Sequence, residues 1–331
     1  MMTPIYDYSE RISVDWNPEF KDDAIIFGQK LSHLFPNSNL TDTTKFIKKG
    51  DVFVLLPGEN FGVDFLINKL RDKCPHAIVT DKKIRRLLGN HPQYCKTFFW
   101  DNLKDYTGFI AAGFYNNPSD KLNVTAVTGT DGKTTVVNLA ASIIANSFED
   151  SAAIGTLGVV IYRKKQKKQV LQDYGPVNLT TPSAVILQSI FDKLRKEKVG
   201  KVFLEASSIG IITQRLQGTN IKNAVFTNLG SDHLDLHGNL GNLAYSKSQL
   251  FSHPALTNII FTEKNRFQHS EIDVVYEAIA KSDAKKISVG ITAFPIKPTK
   301  LTSEILIIEK NLSRSGTLVS VIKDDRESGS F

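Results

Sequence analysis

The sequence predicts an α/β protein of two units, because short apolar β-type runs alternate along it with helix-length amphipathic segments. Between about residues 40 and 121, β-type runs at 51–56 and 77–80 flank a helical pattern at 65–74, which indicates a small first unit. Beyond residue 123 the apolar runs are continuous, as is typical of parallel strands covered on both faces. A length of 331 residues accommodates two or three such units.

The second unit is predicted from a regular succession of strands and helices. Its strands are expected at 124–128, 152–154, 202–205, 224–227, 258–262, 304–308 and 317–322, and its main helices at 134–147 and 183–198. A turn-rich stretch at 115–120 separates it from the first unit. We therefore predict domains of residues 1–117 and 118–331, the second with a mostly parallel sheet.

Composition restricts the class of protein. Hydrophobic residues make up 41% of the chain and charged residues 23%, which are values of an ordinary globular protein. No apolar run approaches the length of a membrane span, and the first residues do not resemble a secretion signal. The two cysteines, Cys74 and Cys95, have no metal-binding or redox spacing. We therefore expect a cytoplasmic protein without a membrane partner or a zinc site.

The net charge of +7 raises the question of nucleic-acid binding. Five positive charges fall in one run at 163–168, between two strand-like segments, and no aromatic residues interleave with them to stack on bases. A solvated hairpin tip explains this run better than a nucleic-acid patch. We expect no nucleic-acid partner.

A glycine loop of the kind that binds nucleoside triphosphates follows the strand at 124–128. The loop and first helical turn comprise Gly129, Thr130, Asp131, Gly132, Lys133, Thr134 and Thr135. In such a loop, backbone N–H groups and a helix N-terminus face the phosphates, Lys133 neutralises charge and Thr134 can hold Mg²⁺. The pattern G-x-x-x-x-G-K-[ST] is not met in full, because Val127 occupies its first glycine position. We interpret the segment as a variant phosphate loop that binds ATP.

Three further residues are candidates for catalysis. Glu205 ends an apolar strand at the edge where open α/β sheets place their ligands, so it either holds Mg²⁺ or caps the strand. His233, flanked by Asp232 and Asp235, is either a metal ligand or a loop histidine. Lys247 lies on an amphipathic helix, where an isolated lysine is ordinarily a surface charge. The residues alone leave these alternatives open.

The loop at 128–135 resembles the T-G-T-x-G-K-T-T loop of the Mur ligases, the ATP-dependent amide-forming enzymes of peptidoglycan synthesis. Five more motifs follow in family order, namely Gly-Thr-Leu-Gly at 155–158, Thr-Thr-Pro at 180–182, Glu-Ala-Ser-Ser-x-Gly at 205–210, the Asp-His-Leu-Asp-x-His-Gly segment within 226–238 and Tyr-x-Lys-x-x-Leu-Phe at 245–251. The similarity is greatest to the subfamily that adds the third peptide residue, MurE, and covers about residues 40–255. It implies a UDP-sugar-binding first domain followed by a central ATPase domain.

The resemblance also implies roles for individual residues. It implies that Thr134, Glu205 and His233 hold Mg²⁺ and that Lys247 is carbamylated, which gives this cation a carboxylate-like group that binds the ion. Contacts to the UDP-sugar peptide are implied for Thr43, Thr180, Thr181, Ser207 and Arg215.

The implied reaction joins an amino acid to UDP-N-acetylmuramoyl-L-Ala-D-Glu in a monomeric enzyme. A substrate carboxylate attacks the γ-phosphate of ATP, and an amine then displaces phosphate from the acyl phosphate to form the amide. Positioning and charge neutralisation supply most of the catalysis in such a reaction.

Several positions depart from the family pattern. Thr44, Ile209 and Thr213 stand where an Arg, a His and a Gln are usual, and residues 263–266 replace an N-x-D-D stretch.

The family's C-terminal ligase domain is not represented, so we expect the N-terminal part of such a ligase. Two alternatives stay open: a catalytically silent homologue that binds nucleotide or UDP sugar as a regulator or scaffold, and a folylpolyglutamate-synthase-like ligase, which the motifs at 180–182 and 205–210 disfavour.

Overall fold

The fold was analysed in a computed structural model. It describes residues 10–45, 47–56, 68, 70, 72–88, 95–164, 169–171, 179–262, 270–293, 305–313, 316–323 and 326–330. Half of the predicted helix at 65–74 lies outside these residues, and the lysines at 165–168 and the segment 263–266 lie wholly outside them.

The first unit is a four-stranded parallel sheet with strand order β1-β2-β3-β4. Its strands are β1 (Leu40–Thr41), β2 (Val52–Leu55), β3 (Ala77–Asp81) and β4 (Lys96–Trp100). The helices with described bounds are α1 (Lys21–Leu34), α2 (Arg85–Leu88) and α3 (Leu103–Phe114). All four residues of β2 are buried, which explains why its sequence is uniformly apolar. The strands predicted at 51–56 and 77–80 are thus confirmed.

Helices α1 and α3 pack closely because each has a glycine at the contact. A Cβ atom added to Gly28 would lie 2.0 Å from the carbonyl oxygen of Ile110, and one added to Gly113 would lie 2.0 Å from that of Ile25. The two backbones therefore meet where no side chain intervenes, and larger residues would force the helices apart.

The second unit is an eleven-stranded sheet with order β15-β14-β13-β12-β11-β10-β5-β9-β6-β7-β8. Its strands are β5 (Asn123–Thr128), β6 (Ser151–Gly155), β7 (Gly158–Tyr162), β8 (Gln169–Leu171), β9 (Lys201–Glu205), β10 (Ile221–Phe226), β11 (Asn258–Thr262), β12 (Lys285–Ala293), β13 (Ile305–Ser313), β14 (Gly316–Lys323) and β15 (Arg326–Ser330). The seven strands from β13 to β6 in this order run parallel, and the pairs at both edges are antiparallel. The predicted mostly parallel sheet is confirmed.

The helices of the second unit lie between these strands. They are α4 (Lys133–Ser147), α5 (Ala184–Lys196), α6 (Ser208–Ile212), α7 (Leu234–His237), α8 (Leu240–Ser248) and α9 (Asp273–Lys281). Helix α5 begins after Ser183, whose hydroxyl accepts a hydrogen bond from the N–H of Ile186 at 3.3 Å and so caps the helix. The helices predicted at 134–147 and 183–198 are confirmed within two residues at each end.

The two units pack against each other through α3, α5 and the loop before β10. Val185 of α5 belongs to the apolar core of the first unit. A Cβ on Gly108 of α3 would lie 2.4 Å from the carbonyl oxygen of Gln217, and one on Gly218 would lie 2.3 Å from that of Gly108. The predicted boundary between residues 117 and 118 falls between α3 and β5, next to this contact.

The basic run at 163–168 differs in part from the predicted solvated tip. Strands β7 and β8 pair in antiparallel fashion on either side of it, as a hairpin requires. Arg163, however, is only 20% exposed and forms ion pairs with Asp150, at 2.9 Å, and with Glu197. Its charge therefore anchors the base of the hairpin to two neighbouring loops, which the charge pattern alone could not reveal.

Both cysteines are free thiols, Cys74 exposed and Cys95 partly buried, and burial raises the pKa of Cys95 to about 11. In the portion of the chain that the structure covers, every helix is too short or too polar to cross a membrane.

We expect Gly28→Ala to lower the free energy of unfolding by about 1–3 kcal/mol, because the new methyl group overpacks the contact between α1 and α3. Ile26→Ala, on the solvent-facing side of the same helix, should change it by less than about 0.5 kcal/mol. Urea denaturation followed by circular dichroism measures both. Equal effects of the two substitutions would contradict the close packing of these helices.

Candidate nucleotide site at the carboxyl edge of the central sheet

The loop between β5 and α4 has the backbone of an anion-binding turn. Gly129 and Gly132 adopt φ angles of +146° and +79°, which side chains disfavour, and α4 begins directly after them at Lys133. The N-terminus of α4 therefore faces the space above the sheet edge, where backbone N–H groups and the helix dipole attract a phosphate. Thr134 is half-buried and Thr135 is exposed at this terminus.

The segment after β10 holds this loop in place. Thr130 exchanges hydrogen bonds with the backbone of Gly230, at 3.1 and 2.8 Å, and the N–H of Asp131 donates to the side chain of Asn228 at 2.9 Å. The hydroxyl of Thr227 donates to the carbonyl of Asp131 at 2.7 Å. The loop is thus fixed by contacts with residues about 100 positions away in the sequence.

Two lysines converge on one backbone oxygen of the loop. The amine of Lys133 donates to the carbonyl oxygens of Gly129 and Thr130, at 2.9 and 2.7 Å. The amine of Lys247, from helix α8, donates to the same Gly129 oxygen at 2.9 Å. Both predicted lysines therefore lie at the phosphate loop.

Lys247 is 3% exposed, so the alternative that it is a surface charge is wrong. Burial, followed by repulsion from Lys133, lowers the pKa of the Lys247 amine to about 7. Burial also lowers the pKa of Lys133, which attraction to Glu205, Asp232 and Asp131 partly counteracts. The helix thus holds an amine that is substantially neutral near physiological pH, which an ordinary lysine is not.

Glu205 is the last residue of β9, next to β5 in the sheet, and is 1% exposed. Its carboxylate accepts hydrogen bonds from the backbone N–H of Thr156, at 2.9 Å, and from the Thr156 hydroxyl, at 3.3 Å. A Cβ on Gly155 would lie 2.1 Å from this carboxylate, so the glycine makes room for it. A buried carboxylate with oxygen atoms available beside a phosphate loop suits a hard cation such as Mg²⁺.

The residues predicted to hold the peptide substrate form one network around Thr181, which is fully buried. Its hydroxyl donates to the backbone carbonyl of Glu205 at 2.8 Å and lies 3.0 Å from the hydroxyl of Ser207. Arg215 donates to the Thr181 carbonyl at 3.0 Å, and the hydroxyl of Thr180 lies 3.4 Å from that of Thr156. The structure therefore brings these four predicted residues together beside Glu205.

The first unit reaches this network through Asp42, just before the predicted residue Thr43. Burial raises the pKa of the Asp42 carboxyl, while a hydrogen bond from Ser183 and attraction to Arg215 lower it in part. Thr43 is partly buried, and its hydroxyl accepts a weak hydrogen bond from the N–H of Lys45 at 3.4 Å. The C-terminal end of β1 thus lies against the start of α5 and the arginine.

His233, which the sequence predicted as a metal ligand, lies in an exposed turn. It has a φ of +54°, its side chain is 57% exposed, and its ring lies 3.3 Å from the carboxylate of Asp232. Asp232 in turn attracts both Lys133 and Lys247. Within the described residues, no group of three or more His, Cys, Asp and Glu could hold a metal ion; the predicted set contains two such residues, His233 and Glu205.

Sequence reasoning missed His237 as a structural centre of the site. This side chain is fully buried, its Nε2 lies 3.0 Å from the hydroxyl of Ser208 and its Nδ1 lies 3.4 Å from that of Ser246. Burial, together with repulsion from Lys247, lowers the pKa of His237 to about 4. The neutral ring therefore joins α6 to α8. Its position within the motif at 226–238 was the signal that could have identified it.

Comparison with known proteins agrees with these features. Residues 127–324 match the family model of the Mur ligase middle domain, which is more than half of the chain. The chain belongs to the Mur ligase family.

Individual relatives are similar over most of the chain. A UDP-N-acetylmuramoyl-L-alanyl-D-glutamate--2,6-diaminopimelate ligase of Janthinobacterium sp. (strain Marseille) is 27% identical over 286 residues, which are 86% of this chain and 54% of that protein. The ligase of the same name from Coxiella burnetii is 33% identical over 223 residues, 65% of this chain and 42% of that protein. The chain thus spans about half the length of the curated relatives that it matches.

Solved structures share the fold. The structure of a UDP-N-acetylmuramoyl-L-alanyl-D-glutamate--2,6-diaminopimelate ligase superposes with a TM-score of 0.65 at 20% identity, covering 88% of this chain and 54% of the other. MurF from Acinetobacter baumannii superposes with a TM-score of 0.60 at 15% identity, covering 97% and 60%. The arrangement of the two sheets is therefore that of Mur ligase structures.

The depressed pKa of Lys247 predicts a pH dependence of stability. Because its pKa is about 7 in the folded chain and about 10.4 when unfolded, the unfolded chain binds more protons between these values, so this group makes stability rise with pH there. We expect Lys247→Met to reduce the slope of unfolding free energy against pH, from pH 7.5 to 9.5, by up to about 1.4 kcal/mol per pH unit.

The measurement is urea denaturation in buffers free of CO₂ and nucleotide, which keep the amine unmodified. Lys121→Met, at an exposed position, is the matched control and should leave the slope as in the wild type. An unchanged slope in Lys247→Met would show that this amine titrates as an ordinary lysine.

Proposed function

We propose that this chain carries the ATP site and the UDP-sugar peptide site of a peptidoglycan precursor ligase. Such a ligase adds an amino acid to UDP-N-acetylmuramoyl-L-Ala-D-Glu with hydrolysis of ATP. The observation that carries the proposal is the convergence of Lys133 and Lys247 on the phosphate loop beside the buried carboxylate of Glu205. The names of the relatives support the substrate, and diaminopimelate, named in them, is the first amine to test.

In this proposal the residues of the loop bind and orient ATP. The N–H groups between Gly129 and Lys133 surround the phosphates, and the Lys133 amine, which bonds to the Gly129 carbonyl in the free loop, turns toward phosphate oxygens. Because the loop is already fixed by residues 227–230, little conformational freedom is lost on binding. The substrate carboxylate is held for attack on the γ-phosphate by the hydroxyls of Thr180, Thr181 and Ser207 and by Arg215.

The donor atoms at the site fit Mg²⁺. Oxygen atoms of Glu205 and Thr134, a carbamate on Lys247 and the ring of His233 would hold the ion, which would neutralise charge on the phosphates. A carbamate requires an unprotonated amine, and the pKa of about 7 gives Lys247 that form near neutral pH. Thr43 is proposed to contact the uridine, since it adjoins Asp42 beside Arg215.

We expect Mg·ATP to stabilise the folded chain. At about a hundred times its dissociation constant, the ligand adds roughly 2.7 kcal/mol to the free energy of unfolding. Lys133→Ala should remove this effect, because the amine that neutralises the phosphates is lost, whereas the exposed Lys121→Ala should retain it. Thermal shift measurements test this, and a wild-type chain without any shift in Mg·ATP would refute nucleotide binding.

We further expect a carbamate on Lys247 in ¹³C-bicarbonate at pH 8. Carbon-13 NMR should show one carbamate signal that disappears in Lys247→Ala and persists in Lys121→Ala. Absence of the signal, combined with a wild-type response of Lys247→Ala to Mg·ATP, would favour the catalytically silent homologue over the ligase. Acid conditions are avoided throughout, since carbamates decompose on acidification.

A further inference from the structure

An N-terminal arm, residues 10–17, precedes the first unit in sequence but packs into the second. Val14 and Trp16 are 9% and 8% exposed and belong to the apolar core of the second unit. The Trp16 ring meets the ring of His253 edge to face, with centroids 4.9 Å apart. The arm therefore crosses from α1 to the back of the nucleotide-binding unit, where burial of a tryptophan stabilises it.

The arm makes most of its polar contacts with helix α8 and with Gln249, the residue that follows it; the Gln217 side chain also donates to the Asp15 carbonyl at 3.5 Å. The N–H of Val14 donates to the side-chain oxygen of Gln249 at 3.2 Å, and the indole N–H of Trp16 donates to the Gln249 carbonyl at 3.0 Å. The hydroxyl of Ser13 lies 2.8 Å from that of Tyr245. The Gln249 carbonyl also accepts a hydrogen bond from the Ser252 hydroxyl at 2.8 Å, so the indole N–H is its second side-chain donor.

Helical geometry relates these contacts to Lys247. Tyr245 and Gln249 are four residues apart and share one face of the helix, whereas Lys247, two residues from each, projects from the opposite side. On that side its amine donates to the Gly129 carbonyl. The end of α8 is thus held between the arm on the outside and the phosphate loop on the inside.

We propose that the arm is a positioning element of the nucleotide site, in which Trp16 and Gln249 fix the helix end that seats Lys247 beneath the phosphate loop. Neither residue touches the loop itself, so their effect is transmitted through α8. Without the arm, the outer face of this helix end loses the two hydrogen bonds that Gln249 accepts from it, and the burial of Lys247 depends on the remaining core contacts. This inference rests on the proposed role of Lys247 at the nucleotide.

The first test uses Trp16→Phe in the full chain, which keeps an aromatic ring in the core and removes the indole N–H. The chain's only other tryptophan, Trp100, packs on Phe27 and Tyr106 in the first unit, so Trp100→Phe is the matched control. We expect Trp16→Phe to weaken Mg·ATP binding on the order of tenfold by isothermal titration calorimetry, and Trp100→Phe to leave it unchanged.

A second readout does not depend on nucleotide. Brief labelling with acetic anhydride, followed by mass spectrometry of peptides, reports the exposure of Lys247 relative to Lys121 in the same sample. Labelling of Lys247 should be several-fold faster in Trp16→Phe than in the wild type, at a temperature where both are folded. A general loss of stability would accelerate labelling in Trp100→Phe as well, so the pair separates positioning from mere destabilisation.

Gln249 provides an independent variant pair. Gln249→Ala removes the acceptor for the Val14 N–H and should expose Lys247 to labelling, whereas Gln249→Glu keeps a side-chain oxygen there and should restore protection. If wild-type labelling of Lys247 persists in folded Trp16→Phe and Gln249→Ala, the inference is overturned. Failure of the wild type to bind Mg·ATP would instead overturn the proposed function, so the two failures are distinguishable.

Discussion

The carbonyl oxygen of Gly129 accepts hydrogen bonds from both Lys133 and Lys247, and the arrangement of the site depends on this shared acceptor. Two amines near one backbone dipole repel each other, and burial disfavours the charged form of each. Hydrogen bonds to the loop carbonyls and attraction to Asp232 and Glu205 offset this repulsion. The site is therefore electrostatically poised for an anion, which would relieve the repulsion on binding.

The rigid frame around this pair comes from contacts between distant strand ends. The parallel order of β9, β5 and β10 brings Glu205, the phosphate loop and Thr227 to one edge of the sheet. A Cβ on Gly129 would lie 1.9 Å from the Thr227 hydroxyl, so only a glycine permits the two loops to approach this closely. The loop geometry is thus determined by sheet topology as much as by its own glycines.

Elements with strong local patterns could be predicted from the sequence. Strand β11 was predicted with its observed ends, and α4 within one residue, because a continuous apolar run and an Ala-rich segment after a glycine loop are local signals. The glycine loop between β5 and α4, which is proposed to bind ATP, was identified in the same way. Periodicity does not determine the direction in which a single side chain points in the folded chain. For that reason the alternative that Lys247 is a surface charge was wrong.

The features that escaped prediction all depend on contacts between residues far apart in sequence. Arg163 looked like part of a solvated run, although Asp150 and Glu197 pair with it. The burial of His237 requires α6 and α8 to be packed together, which no local pattern encodes. Trp16 lies 233 residues from Gln249, so no local pattern indicates their contact.

The same dependence on tertiary contacts links the two halves of the site. Thr181 donates to the carbonyl of Glu205, and its own carbonyl accepts from Arg215, which attracts Asp42 at the edge of the first unit. A displacement of β1 would therefore be transmitted to the strand end that presents the buried carboxylate. Since the buried polar groups along this route are hydrogen-bonded, moving one of them leaves a partner unsatisfied, which costs about 1–3 kcal/mol. The relative position of the units is thus constrained by the polar groups that the proposed reaction uses.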